Sequence, residues 1–168
     1  MIEVLRGDIT TLDVDAIVNA ANGALLPGAG VCGAIYRAAG PRLIDATRKI
    51  AICATGDAVL TPGFDAKARF IIHAVGPMWS GGNDGEADLL RSVYRNAFRV
   101  AKSESSIKSI AFPAISTGIY GFPKREAASI ALDVMRENER DFDRIVACLF
   151  DAETESIYRR GCQPDSIA

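Results

Sequence analysis

The sequence predicts an α/β fold, a three-layer α/β/α sandwich whose central sheet is mixed and largely parallel. Three observations predict it. Short apolar runs rich in branched residues alternate with segments of helical periodicity, an order that gives a parallel sheet covered by helices on both faces. One run, "IKSIAFPAIS" from Ile107 to Ser116, has no polar alternation at its centre, as a strand buried on both sides requires. The first two runs follow each other with no helical segment between them, which predicts that part of the sheet is mixed.

Taken in order, "IEVLR" (Ile2–Arg6) and "DAIVNAA" (Asp15–Ala21) are apolar, branched and short, and predict strands. A glycine-rich loop follows, and "AIYRAAGPRLIDATRKIA" predicts two helical pieces broken at Gly40-Pro41. "GDAVLTPG" and "ARFIIHAVGP" predict two more strands. Leu89, Leu90, Val93, Tyr94, Ala97, Phe98 and Ala101 recur at helical spacing and mark one apolar face. The stretch from Lys124 to Glu139 is helical again, with Ala127, Ile130, Ala131, Val134 and Met135 on one face. "RIVACLF" (Arg144–Phe150) predicts the last buried strand, and "AETESIYRRG" a closing helix that ends near Gly161.

A chain of 168 residues is expected to form one domain, spanning 1–168, and folding at this size buries about two-thirds of the accessible surface. Hydrophobic residues make up 49% and charged residues 24%, the balance of an ordinary globular domain. The net charge of −2 and pI near 5.4 argue against a nucleic-acid partner, because such affinity comes mainly from clustered Lys and Arg. No apolar run approaches the ~18 to 20 residues that span a bilayer, so no membrane partner is expected. The opening "MIEVLRGDIT" carries Glu3 and Asp8 without a long apolar core and does not read as a signal peptide. Cys32, Cys53, Cys148 and Cys162 are widely separated with no CxxC pair, which fits reduced thiols in a cytoplasmic protein.

In open α/β sheets ligands bind beyond the carboxyl ends of the strands. Three strands here end in unusual segments: "NAANGALLPGAGV", "PAISTGIYGFP" and "FDAET". Glycine allows close backbone approach, and two glycine loops facing each other offer N–H groups beside the positive end of the helix beginning near Val31. That arrangement suits a phosphate or diphosphate. It calls for no cofactor, and the sequence shows no metal-ligand cluster. Gly28, Gly30 and Gly33 spell G-x-G-x-x-G, but Asn22 through Pro27 separate them from the preceding strand. The position twenty after Gly33 is Cys53, where a dinucleotide fold places an acidic residue. The Rossmann reading is rejected.

The segments "GDIT" (Gly7–Thr10), "DAIVNAAN" (Asp15–Asn22), "GAGVCGAIYRAAGP", "ATGDAVLT" (Ala54–Thr61), "HAVGP" (His73–Pro77) and "FPAISTGIYGFP" (Phe112–Pro123) together resemble the macrodomain family, closest to its MacroD-type branch. The resemblance runs from about Gly7 to Arg160. It implies an α/β/α sandwich that binds ADP-ribose and its derivatives, mono-ADP-ribosylated proteins among them. It also implies hydrolysis of ADP-ribosyl esters on acidic side chains or of O-acetyl-ADP-ribose, by water held between the distal ribose and a phosphate. By position, Asp8 matches the aspartate that accepts from the adenine amino group, with the Ile9 backbone beside it, and Phe150 matches an aromatic residue packing on adenine. Gly28, Ala29, Gly30 and Val31, with Ser116, Thr117, Gly118, Ile119 and Tyr120, match the loops that wrap the diphosphate and distal ribose. Asn22 matches the asparagine on the distal ribose hydroxyls, a catalytic position, and Phe122 an aromatic residue near that ribose.

The sequence departs from the family pattern within this stretch. Cys32 stands where the MacroD-type motif has aspartate, and Tyr36 where it has histidine. Pro27 and Ala29 replace glycines, which stiffens the loop. These departures bear on catalysis more than on binding and leave a non-catalytic ADP-ribose reader as the alternative. Cys32 has two readings of its own: a nucleophile activated by a helix N-terminus, or a small residue filling the place of a lost carboxylate. Asn22 is assigned to the site, Asn19 to tying down loop backbone, and His73 to a structural role. Trp79 reads as a packing anchor for its loop, and Asp57 and Glu86 as surface carboxylates without an evident partner.

Overall fold

The computed structural model describes residues 2–164. Six strands form one sheet: β1 (Ile2–Arg6), β2 (Ala16–Ala20), β3 (Ala58–Pro62), β4 (Phe70–Ala74), β5 (Ser109–Phe112) and β6 (Arg144–Leu149). Five helices flank it: α1 (Gly30–Ala39), α2 (Pro41–Ile50), α3 (Glu86–Ser103), α4 (Lys124–Glu137) and α5 (Ala152–Cys162). The expected span 1–168 includes Met1 and residues 165–168, which lie outside the described residues. No helix among the described residues is long and apolar enough to cross a membrane.

The strand order is β1-β6-β5-β2-β4-β3. All neighbours run parallel except β3 and β4. The sheet is therefore mixed as expected, but at a different place. The two opening strands do not pair: a 3-10 turn (Ile9–Thr11) carries the chain away from β1 at the edge to β2 in the middle. The antiparallel pair is the hairpin-like β3 and β4, which no helix separates.

Register divides the core into two faces. Ile17 opposes Ile71 and Val18 opposes Ile72, and successive strand residues point to opposite faces. Ile17 and Ile71 pack with Ile35 and Leu43 under α1 and α2. Val18 and Ile72 pack with Leu90, Val93 and Phe98 under α3. Each fully buried branched side chain contributes about 1.5–3 kcal/mol relative to exposure, so the central strand is held from both sides.

Two boundaries and two side chains differ from the sequence reading. The run from Ile107 to Ser116 is strand only over Ser109–Phe112. Pro113 supplies no N–H to a ladder, and Tyr94 takes over, its hydroxyl donating to the Pro113 carbonyl and accepting from Ile115 N. The helix from Lys124 stops at Glu137, where Asn138 Nδ2 donates back to the Val134 carbonyl at 2.8 Å, and a 3-10 turn follows. Glu86 is no surface carboxylate. It is 2% exposed and accepts hydrogen bonds from Ser80 N, Gly82 N and Asp84 N. The Ser80 contact is the largest influence on its acidity, and with the others it holds the carboxyl at about 2. Asp57 is partnered too: it accepts from Ala58 N and pairs with Arg99 at 3.8 Å. Trp79 does anchor its loop, with its ring 4.9 Å from that of Phe122 and its backbone N–H donating to the Tyr120 carbonyl.

Candidate functional site

Strands β2, β5 and β6 run parallel, so their carboxyl ends share one edge of the sheet. A cleft of about 530 Å³ opens there. Its floor is Ala20, Ala21, Gly76 and Ile115, one wall is Gly28 to Cys32, and the other is Ser116 to Tyr120. Cys148, Phe150, Asp151 and Thr154 close its far end, with Lys124 beside them. The helix N-terminus in the first wall is open: Ala29 precedes α1 and makes no side-chain cap, so the first-turn N–H groups face the cleft unclaimed by side chains. Such a terminus binds anions through those donors and its dipole. By contrast α5 is capped internally, Asp151 accepting from Thr154 N at 2.8 Å.

The loop from Asn22 to Gly28 is tied down from inside. Asn22 ties Leu26 through both ends of its amide: Nδ2 donates to the Leu26 carbonyl at 2.8 Å, and Oδ1 accepts from Leu26 N at 3.0 Å, which leaves one N–H and one oxygen lone pair for a ligand. Cys32 Sγ donates to the same carbonyl at 3.6 Å. Below them Tyr36 donates its hydroxyl proton to the Leu25 carbonyl at 2.6 Å. Tyr36 therefore supports the loop from the core and does not line the cleft. Gly33 has a steric reason for being glycine, because a side chain there would collide with the Gly28 carbonyl oxygen.

Asn19, expected to tie down loop backbone, does something else. It is fully buried, and its Nδ2 donates to His73 Nδ1 at 3.1 Å and to Cys32 Sγ at 3.8 Å. Acceptance at Nδ1 leaves the His73 proton on Nε2, 3.0 Å from Thr61 Oγ1. Burial lowers His73 to about 4, so the ring is neutral and structural. Tying the loop falls to Asn22, which lies beyond the end of β2 and bonds both backbone groups of Leu26. Burial also pushes the Cys32 thiol up, against the smaller opposing effect of the Asn19 contact. A protonated thiol that donates to a carbonyl is a poor nucleophile, which favours the second reading of Cys32.

On the opposite wall Ser116 is buried with φ +68. Its Oγ finds no protein partner among the described residues. Gly76 must be glycine beneath it, since a side chain would strike that Oγ. Thr117 spends its hydroxyl on the Ala114 carbonyl at 3.0 Å, which leaves backbone N–H groups as what this loop offers. Ile119 projects into solvent, 90% exposed. Phe122, expected near the ribose, is 1% exposed, packs on Trp79 in the core and does not line the cleft. An aromatic residue two positions beyond the loop is drawn under it by burial.

At the far end Phe150 is 83% exposed on the rim. Asp8 is exposed and accepts from Thr10 N at 2.9 Å and Thr10 Oγ1 at 2.7 Å. Ile9 is buried in the core, and neither residue lines the cleft itself. Cys148, beside them, does. Its thiol donates to the Gly7 carbonyl, and burial, then the Asp8 charge, raises it to about 11. Sequence reading missed Cys148, Lys124, Asp151 and Thr154 as lining residues. For Asp151 and Thr154 a signal existed, the D-x-x-T capping pattern directly after a buried strand.

A Macro domain family model matches residues 18–131. The chain is 55% identical to a macro domain-containing protein of Ralstonia nicotianae, over 94% of this chain and 91% of that protein. It is 48% identical to an O-acetyl-ADP-ribose deacetylase of Klebsiella pneumoniae, over 94% of each. Among solved structures it resembles the Oceanobacillus iheyensis macrodomain with ADP, at TM-score 0.89 and 42% identity over 95% of this chain and 88% of that one. It also resembles the Trypanosoma brucei macrodomain in complex with ADP-ribose, at TM-score 0.86 and 37% identity over 95% of this chain and 68% of that one.

Proposed function

This chain belongs to the macrodomain family, and we propose that it is a single macrodomain, residues 1–168, that binds ADP-ribose in the cleft and hydrolyses esters of it. The observation that carries this reading is the cleft itself, where two glycine-containing loops and an uncapped helix N-terminus face each other at the strand ends. Such a surface takes a diphosphate. The relative from Klebsiella pneumoniae that is named O-acetyl-ADP-ribose deacetylase supports the chemistry.

In this reading adenine lies at the Asp8 and Phe150 end, and the distal ribose lies beside Asn22. The first wall, Gly28 to Val31, and the second, Ser116 to Tyr120, hold the phosphates between them. A water between that ribose and a phosphate attacks the ester, and a phosphate oxygen takes its proton. The carbon–oxygen bond to the leaving group breaks, and the ribose hydroxyl and a carboxylic acid are released. Orientation supplies much of the rate, which is why a thiol at position 32 leaves turnover possible. Cys32 also supports the second reading, a reader that binds without turnover.

The test is product release from O-acetyl-ADP-ribose and from a protein mono-ADP-ribosylated on glutamate. Release above the uncatalysed rate supports the hydrolase. ADP-ribose binding with no release from either supports the reader.

A further inference from the structure

We infer that the end of the cleft next to Asn22 is built for neutral, apolar acyl esters, and that O-acyl-ADP-ribose with an acyl chain longer than acetyl is a better substrate than acetyl or than an ester to a protein carboxylate. This rests on the reading that the distal ribose lies beside Asn22.

The lining beside Asn22 holds no charged side chain: Cys32, which shares the Leu26 carbonyl with Asn22, and the near edge of the phosphate wall at Gly28 form it. The charged lining residues, Lys124 and Asp151, belong to the other end with Phe150. Position 32 contributes a buried, protonated thiol already committed to the Leu26 carbonyl. The rim outside is apolar as well. Leu26 is 53% exposed, and Pro27 and Ala29 are exposed beside it. Leu26 is not free to withdraw, because both its backbone groups are held by Asn22. Ile119 stands exposed on the facing loop.

Exposed apolar side chains on a fixed backbone gain from covering, and a short hydrocarbon leaving the ribose would cover them. A glutamate or aspartate ester brings a peptide backbone and charged neighbours to the same place, where the cleft lining offers them no charged partner and Arg37 stands behind the Gly28 wall. Each methylene taken from water by such a surface changes binding about fourfold, the factor equivalent to roughly 0.8 kcal/mol. The reaction is ordinary ester hydrolysis. Water adds oxygen to the acyl carbon, the bond from that carbon to the ribose oxygen breaks, and the proton returns to the ribose hydroxyl.

The experiment compares kcat/KM for O-acetyl-, O-propionyl- and O-butyryl-ADP-ribose, each corrected for spontaneous hydrolysis, with a peptide ADP-ribosylated on glutamate as a fourth substrate. The expected result is a rise of up to about fourfold per methylene, with the peptide slowest, and a butyryl-to-acetyl ratio that falls toward one in Leu26→Ser. A flat or falling series, or a peptide faster than the butyryl ester, overturns the inference. If no ester is turned over, the hydrolase reading fails separately, and the same esters serve as ligands on a timescale shorter than their spontaneous hydrolysis. Calorimetric affinities that tighten along the series then support the apolar rim, and equal affinities overturn it.

Discussion

Asn22 and Cys32 meet at one atom, the carbonyl oxygen of Leu26, to which Asn22 Nδ2 donates at 2.8 Å and Cys32 Sγ at 3.6 Å. Both are donors, so they can share an acceptor. A carboxylate at position 32 has no proton to give and would face that oxygen with like polarity. The thiol therefore belongs to a loop held closed by two donors. Cys32→Ala removes two weak contacts, to the Leu26 carbonyl and from Asn19 Nδ2, and should leave hydrolysis within about tenfold, roughly 1.4 kcal/mol in barrier. Cys32→Asp should raise hydrolysis by holding water, while costing about 1–3 kcal/mol of stability, because an acceptor replaces a donor beside the Leu26 carbonyl even though Asn19 Nδ2 can still donate to it. Turnover of O-acetyl-ADP-ribose together with thermal melts measures both. Loss of all activity in Cys32→Ala, with ADP-ribose binding intact, would restore the covalent reading.

Asn22 carries two duties, and they can be separated. Asn22→Ala removes both hydrogen bonds to Leu26, so stability should fall by about 1–3 kcal/mol. Turnover should fall far more than ADP-ribose affinity, because adenine and diphosphate contacts remain while the reacting sugar loses its guide. Equal losses in kcat and affinity would mean that the loop collapses and that Asn22 has no separate role in chemistry.

For Asp8 the expected loss lies mainly in affinity. Asp8→Ala should weaken ADP-ribose binding by about 1–3 kcal/mol, the range for a charge-assisted hydrogen bond. It also removes the cap on Thr10 N, which costs about 0.5–2 kcal/mol of stability. Asp8→Asn keeps an oxygen for the cap, so it should restore stability and leave the affinity reduced. Unchanged affinity in both variants would move adenine elsewhere.

Glu86 gives a pH dependence with a definite sign. Its carboxyl titrates at about 2 in the folded chain against an ordinary 4.5. A lowered folded value means that the ionised group stabilises the fold above the ordinary value and that this is lost as pH falls from about 4.5 through about 2. Glu86→Gln should therefore melt earlier than the native chain at neutral pH, with the gap closing in that acid window. A gap that stays constant across the window would show that the carboxylate's charge is not what holds the Ser80 to Asp84 loop.

Most of the strands and helices were legible because their signals are local. Branched apolar runs mark β2 and β4, and an apolar face at helical spacing marks α3. Strand order was not legible: nothing in "IEVLR" says that it pairs with Ile145 to Leu149, more than a hundred residues away. The division of labour between Asn19 and Asn22 was also hidden. The two lie three positions apart, yet one points into the core toward His73 and the other along the cleft toward Leu26. Phe122 and Glu86 show the same limit in opposite directions. An aromatic residue in a site motif proved to be core, and a carboxylate in a polar loop proved to be the loop's organiser.

The central claim is that this cleft is an ADP-ribose site, and calorimetric titration of the folded chain with ADP-ribose tests it most directly. A micromolar dissociation constant, about −8 kcal/mol, is the result expected from an uncapped helix N-terminus, two backbone-donor loops and a carboxylate at the far end. A folded sample that takes up no ADP-ribose at millimolar concentration would contradict it.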